Sequence, residues 1–165
     1  MKLNRAIDFL FISLFVLVFL SGCISNAKSA EADLFSYKGS YVGDNSAVVN
    51  TVIQLKGAEH FSGVALQTKE EPYGIIIDYD WAASEEDEQK TVIHNASYLF
   101  ALIQNVDWVV LNFETAEGVK EFKITREELE SWYNLKLSEV ENEEKLTELI
   151  QTHSEDAEEI AQLLK

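Results

Sequence analysis

The run at residues 73–81 limits the fold more than any other stretch of the chain. Large apolar side chains recur at every second position, and Asp78 and Asp80 fall between them. Because alternate residues of a β-strand point to opposite faces of a sheet, this pattern predicts a strand with one buried and one wetter side. A turn at residues 71–74 follows a short β-type run at residues 64–68, which predicts an antiparallel hairpin.

Helical patterns alternate with a second hairpin along the chain. Residues 48–55 and 92–103 carry apolar side chains at spacings of three and four, which predicts two helices. The β-branched and aromatic run at 108–113, the turn residue Gly118 and the alternating run at 119–124 predict another pair of strands. The expected fold class is α+β: an antiparallel sheet of about four strands from two hairpins, with helices on one face.

The C-terminal part of the chain is helical in pattern but poor in apolar residues. We expect the α+β domain to occupy residues 34–137, with Ile77 and Trp108 in its core, and an acidic helical tail to follow at residues 138–165. Ser138 and Ser154 are the expected starts of its helices, after an earlier helix opened by the capping box of Thr125 and Glu128. Crowded glutamates predict a tail that is dispensable for folding and able to contact a partner.

The first 22 residues have the anatomy of a bacterial signal peptide. A positively charged start precedes an apolar run at residues 9–20, which ends in Leu20-Ser21-Gly22-Cys23. This tetrapeptide resembles the lipobox of bacterial lipoproteins. The resemblance implies cleavage after residue 22 and a diacylglycerol on the thiol of Cys23. Residues 23–33 lack apolar periodicity and read as a tether.

Charge and cysteine content restrict the partners and the compartment. The chain has a formal net charge of −16, so nucleic acid and anionic lipid headgroups would repel it. Membrane attachment must therefore come from acyl chains, and two chains suffice for stable anchoring. Cys23 is the single cysteine, so no disulfide is expected. The expected location is the extracytoplasmic face of a cell membrane, consistent with a Gram-positive envelope.

The first half of the domain also resembles a known family. The segments at residues 34–38, 41–46, 66–68 and 72–74 look like those of an uncharacterised bacterial family, domain of unknown function 4825, over roughly residues 33–125. That resemblance implies a small, extracytoplasmic, membrane-attached protein with a regulatory or sensing role, and it supplies no catalytic residues. We interpret the residues that carry the resemblance primarily as turn and helix-cap residues.

A binding patch formed by Asp44, Asn45 and Tyr73 is the functional alternative for these motif residues. It would require the N-terminus of the first helix and the turn of the first hairpin to lie side by side.

Catalytic and metal-binding motifs are missing from the sequence. It contains no zinc-peptidase motif, no nucleophile elbow, no phosphate-binding glycine loop and no cofactor motif, so a non-enzymatic protein is expected. Residues 85–88 suit a helix start better than a calcium loop, and the histidines are too scattered for a metal site. The sequon that begins at Asn95 falls within a predicted helix and is discounted as a glycosylation site.

The leading functional prediction is a non-enzymatic lipoprotein that binds or regulates an envelope protein. A hydrolase that uses Asp78 and Asp80 as paired carboxylates is one alternative. A lipoprotein that binds a small ligand or a cation is the other.

Overall fold

Two hairpins form one four-stranded sheet. The computed structural model describes residues 33–165, in which the strands follow the order β1-β2-β3-β4. Their bounds are β1 Phe61–Gln67, β2 Gly74–Asp80, β3 Trp108–Thr115 and β4 Gly118–Thr125. Both hairpins are antiparallel, as predicted. The central pair β2 and β3 is parallel, so the sheet is mixed. Parallel strands need a long crossover, and a helix provides it here.

Between residues 33 and 165, five α-helices accompany the sheet, and side-chain caps fix the starts of all five. Asp44 and Asp87 cap the first two, and Thr125 with Glu128 forms the predicted capping box. The expected starts at Ser138 and Ser154 are wrong, because Asn142 and Asp156 cap the last two helices. The helices are α1 Asn45–Val52, α2 Glu88–Leu102, α3 Arg126–Tyr133, α4 Glu143–His153 and α5 Ala157–Leu163.

The two faces of the sheet differ as the alternation predicts. Ile75, Ile77 and Tyr79 are buried on the face that helices cover. Trp108 is not a core residue, because it pairs with Gly74 in the register and lies one residue out of phase with buried Val109. Its ring lies flat on Gly74, where an added Cβ would come within 2.2 Å of the indole. The tryptophan therefore covers the opposite face of the sheet and is half-buried.

Helix α2 lies at the centre of the domain. Eleven of its fifteen residues are buried, so apolar or tightly packed side chains surround it on nearly all sides. It contacts β3 and β4 on one side and the C-terminal helices on the other. A helix that is apolar all round must be covered all round. One sheet cannot do this alone.

The segment at residues 138–165 supplies the second cover, which corrects the expectation of a dispensable tail. Residues 34–165 form one compact unit, and the last two helices pack on α2. Leu146, Ile150 and Ile160 are buried in the same core as the strands. The segment is helical, as predicted, but several of its few apolar side chains pack into the core. Domain and tail therefore share one core.

The predicted signal peptide at residues 1–22, and the tether at 23–32 with it, lie outside the described residues. Asp33 is exposed ahead of the first short 3-10 helix, Leu34–Tyr37. Within residues 33–165, none of the helices combines the length and the apolar character that crossing a membrane requires.

Two leucines test whether the C-terminal segment belongs to the core. Leu146 is completely buried, whereas 38% of Leu135 is exposed. We expect Leu146→Ala to lower the free energy of unfolding by about 2 to 5 kcal/mol, because it leaves a cavity. Leu135→Ala should cost less than about 1 kcal/mol. Chemical denaturation measures both values, and equal losses would contradict the packing of α4 against α2.

Candidate functional site

The residues of the predicted binding patch have structural roles. The Asp44 carboxylate caps α1 by accepting from the Ala47 backbone N–H at 3.1 Å. The Tyr73 backbone N–H donates to Asp107 at 2.7 Å. Within residues 33–165, no hydrogen bond, ion pair or ring contact joins Asp44 or Asn45 to Tyr73. A shared patch stays a prediction.

The two candidate catalytic carboxylates lie on the open face of the sheet. Asp78 accepts a hydrogen bond from the Asn112 side-chain amide at 2.8 Å, which explains its orientation without any substrate. Asp80 is exposed at the end of β2. Neither carboxylate lines the concave surfaces described below.

The acidic run before α2 is used in capping and ion pairing. Asp87 accepts from the Lys90 backbone N–H at 2.9 Å, and Glu88 forms a 2.7 Å ion pair with Lys120 on β4. Across residues 33–165, no three histidine, cysteine or acidic side chains are grouped so that they could hold a metal ion.

Each histidine packs against aromatic rings. His60 meets Trp81 edge-on, His94 stacks on Tyr98, and His153 contacts the rings of Trp132 and Tyr133. The side chain of Asn95, next to His94, is buried and bonds Lys56 and Tyr79, so the sequon is inaccessible as the sequence suggested.

A continuous concave surface runs along the C-terminal helices. We call it the trough. Its central concavity has a volume of about 530 Å³ and lies between α4 and the segment around the short 3-10 helix Leu137–Glu139. A second concavity of about 480 Å³ shares Leu135 and Glu139 with it, and a third of about 640 Å³ shares Thr152 and His153. The shared residues join the three into one continuous surface that is open to solvent.

The trough has an apolar centre and acidic ends. Leu135, Val140 and Leu149 line the central concavity, and Leu135 is among the few large apolar side chains that are exposed in residues 33–165. Carboxylates line all three concavities, whereas only Lys136 and Lys145 supply positive charge. Apolar area framed by polar residues is the ordinary composition of a protein-binding surface.

Hydrogen bonds and an ion pair hold one wall of the trough against the domain. The buried carboxylate of Glu130 accepts from the Leu137 backbone N–H at 3.2 Å and pairs with Lys136 at 2.8 Å. Lys38, from the N-terminal part of the domain, donates to the carbonyl oxygen of Val140. These bonds hold the 137–140 segment against the domain, so the apolar floor is formed without a ligand.

Sequence reasoning missed the trough. Its members are separated by up to 32 positions along the chain, and many of them are carboxylates. The sequence feature that could have indicated the trough is the presence of Leu135 and Leu149 in a segment otherwise rich in acidic residues. Only the turn between α3 and α4 brings these two side chains to the same surface.

The fold and the trough define a class: small α+β domains in which a mixed four-stranded sheet carries helices on one face and a solvent-open surface on those helices. The chain belongs to the family Domain of unknown function (DUF4825), whose family model matches residues 34–125. No curated protein and no solved structure matches the chain. The match ends at the last residue of β4, so the trough lies outside the matched region.

The half-buried ring of His94 generates a pH prediction. Burial lowers its pKa from 6.5 to about 4; the hydrogen bond to Asn95 opposes this shift and the charge of Lys56 adds to it. The unfolded chain therefore binds the proton first as pH falls, and stability conferred by neutral His94 is lost between about pH 6.5 and 4. We expect a loss of up to about 3 kcal/mol in the free energy of unfolding.

His94→Gln removes the titrating ring and should flatten this part of the stability curve. His60→Gln serves as the control, because it changes a histidine elsewhere in the fold. Denaturant titrations at several pH values measure the slope. A slope that His94→Gln leaves unchanged would assign the acid sensitivity to other groups.

Proposed function

We propose that the protein is a membrane-anchored extracytoplasmic lipoprotein whose domain binds and regulates an envelope protein without catalysing a reaction. The anchor is a diacylglycerol on Cys23, at the end of the apolar run and next to the small residues Ser21 and Gly22. The net charge of −16 supports acyl attachment over a basic membrane-binding patch. A Gram-positive cell membrane suits this arrangement.

The observation that carries the binding role is the exposed apolar centre of the trough. Leu135 is 38% exposed beside Val140 and Leu149, in a chain otherwise rich in charge. Removing apolar surface from water contributes about 25 cal/mol per Å², so a partner that covers this centre gains affinity there. The polar rim then supplies specificity.

A protein partner suits the trough better than a small molecule. The central concavity alone has a volume of about 530 Å³, within the usual range for small-ligand pockets. It is open, however, and it continues into a neighbour at each end. A small ligand would leave much of its own surface in water. An elongated partner would use all three concavities.

The anchor is tested by removing the acyl acceptor. We expect Cys23→Ala to abolish incorporation of a labelled fatty acid and to leave an unprocessed precursor, because no thiol remains for the diacylglycerol. Metabolic labelling followed by mass spectrometry of the N-terminus measures both effects. Ser25→Ala, two residues beyond Cys23, is the control. Acylation of the Cys23→Ala protein would refute the anchor.

The binding role is tested with a photo-crosslinking residue on intact cells. We expect a crosslinker at Leu135 to join the lipidated protein to one identified membrane protein, because the partner covers the trough. The same group at Val119, which is 65% exposed at the tip of the β3-β4 hairpin, should not form that adduct. Identical adducts from both positions, or no adduct from Leu135, would overturn the binding role.

A further inference from the structure

We infer that the trough binds an elongated cationic segment of the partner, with apolar residues at its centre and lysines or arginines toward both ends. This inference rests on the proposed binding function and identifies the chemistry of the partner. Three features of the trough carry it: its continuity, the position of its apolar floor and the distribution of its unpaired carboxylates.

Continuity sets the shape of the occupant. Leu135 and Glu139 belong to both the central concavity and the one beside α3. Thr152 and His153 belong to both the central concavity and the one beside α5. The surface therefore continues from its apolar centre into two neighbouring concavities. A peptide segment matches this form, since its side chains can enter successive concavities.

The ion pairs within the trough set the charge of the occupant. Lys136 pairs with Glu130 at 2.8 Å and Lys145 pairs with Glu141 at 2.5 Å, so both lysines of the trough are neutralised. Within residues 33–165, seven further carboxylates of the trough form no ion pair. Asp156 is one of them and caps α5. The other six are Glu127, Glu139, Glu148, Glu155, Glu158 and Glu159.

The unpaired carboxylates lie in both outer concavities, where they would pair with cationic side chains at the two ends of the occupant. Glu127 lies in the concavity beside α3, and Glu155, Glu158 and Glu159 lie in the one beside α5. Like charges crowded on one surface raise the free energy of the unbound protein, and cationic side chains relieve that repulsion. A second copy of this acidic chain, or an anionic lipid surface, would add repulsion instead.

Synthetic peptides test this chemistry on the full chain in phosphatidylcholine nanodiscs, with empty discs as the blank. The first peptide has leucines at its centre and lysines at both ends. The second replaces the lysines with glutamates, and the third replaces the leucines with glycines. We expect measurable binding of the first peptide only, measured by fluorescence anisotropy, and weaker binding as salt rises because exposed charges are screened.

Variants of the protein locate the binding. Leu135→Ser should weaken binding of the first peptide about tenfold, whereas Val119→Ser should leave it unchanged. Glu139→Lys combined with Glu148→Lys should also weaken it about tenfold or more. Glu59→Lys combined with Glu70→Lys changes the net charge equally outside the trough and should have little effect. All of these positions are exposed, Leu135 at 38% and Val119 at 65%. Thermal melting checks that each variant keeps its fold.

The outcomes separate the inference from the proposed function. Equal binding of the first and third peptides, or equal losses in the two double-lysine variants, would mean nonspecific attraction to an acidic protein and would overturn the inference. Binding of the glutamate peptide would also overturn it. A Leu135 crosslink to a partner in cells, without binding of the first peptide, would leave the binding function intact and refute only the cationic segment. Absence of both would refute both.

Discussion

The requirement that α2 be covered on every side determines the rest of the architecture. Eleven of its fifteen residues are buried, including Val92, Leu99 and Phe100 with no exposed area. The sheet covers one side, and α4, α5 and the 3-10 helix Leu137–Glu139 cover the other. Exposing that second side would leave a wide apolar surface in water, which costs stability in proportion to its area. The acidic C-terminal segment therefore completes the core.

Arg126 fastens the C-terminal segment to the end of α2. Its guanidinium donates to the carbonyl oxygens of Phe100 and Ile103 at 2.7 Å each, and to that of Val106 at 2.9 Å. The last carbonyl groups of a helix have no partner within the helix, so a planar cation with several donors is well suited to satisfy them. Arg126 also contacts Glu130, whose carboxylate holds Leu137 in place. One side chain thus links the end of the central helix to the wall of the trough.

Residues 34–125 and the segment that follows them have different roles in this structure. Residues 34–125, which the family model matches, provide the sheet and α2. The following segment covers α2 with its inner side and presents the trough on its outer side. Its apolar residues are few because most of them serve the core. The proposed binding surface uses what remains exposed, chiefly Leu135, and the carboxylates around it.

The sequence by itself determined the local elements. Alternation at residues 73–81 specified β2 and its buried side, and Thr125 with Glu128 specified the start of α3, because periodicity and capping depend on neighbouring residues. Tertiary structure decided the parallel pairing of β2 with β3, the place of Trp108 on the open face and the trough. Each of these depends on contacts between residues distant in the chain. The expectation of a dispensable tail failed for the same reason. The sequence of α2 shows apolar residues around most of the helix, which must be covered. Only the tertiary structure shows that Leu146 and Ile160 belong to that cover.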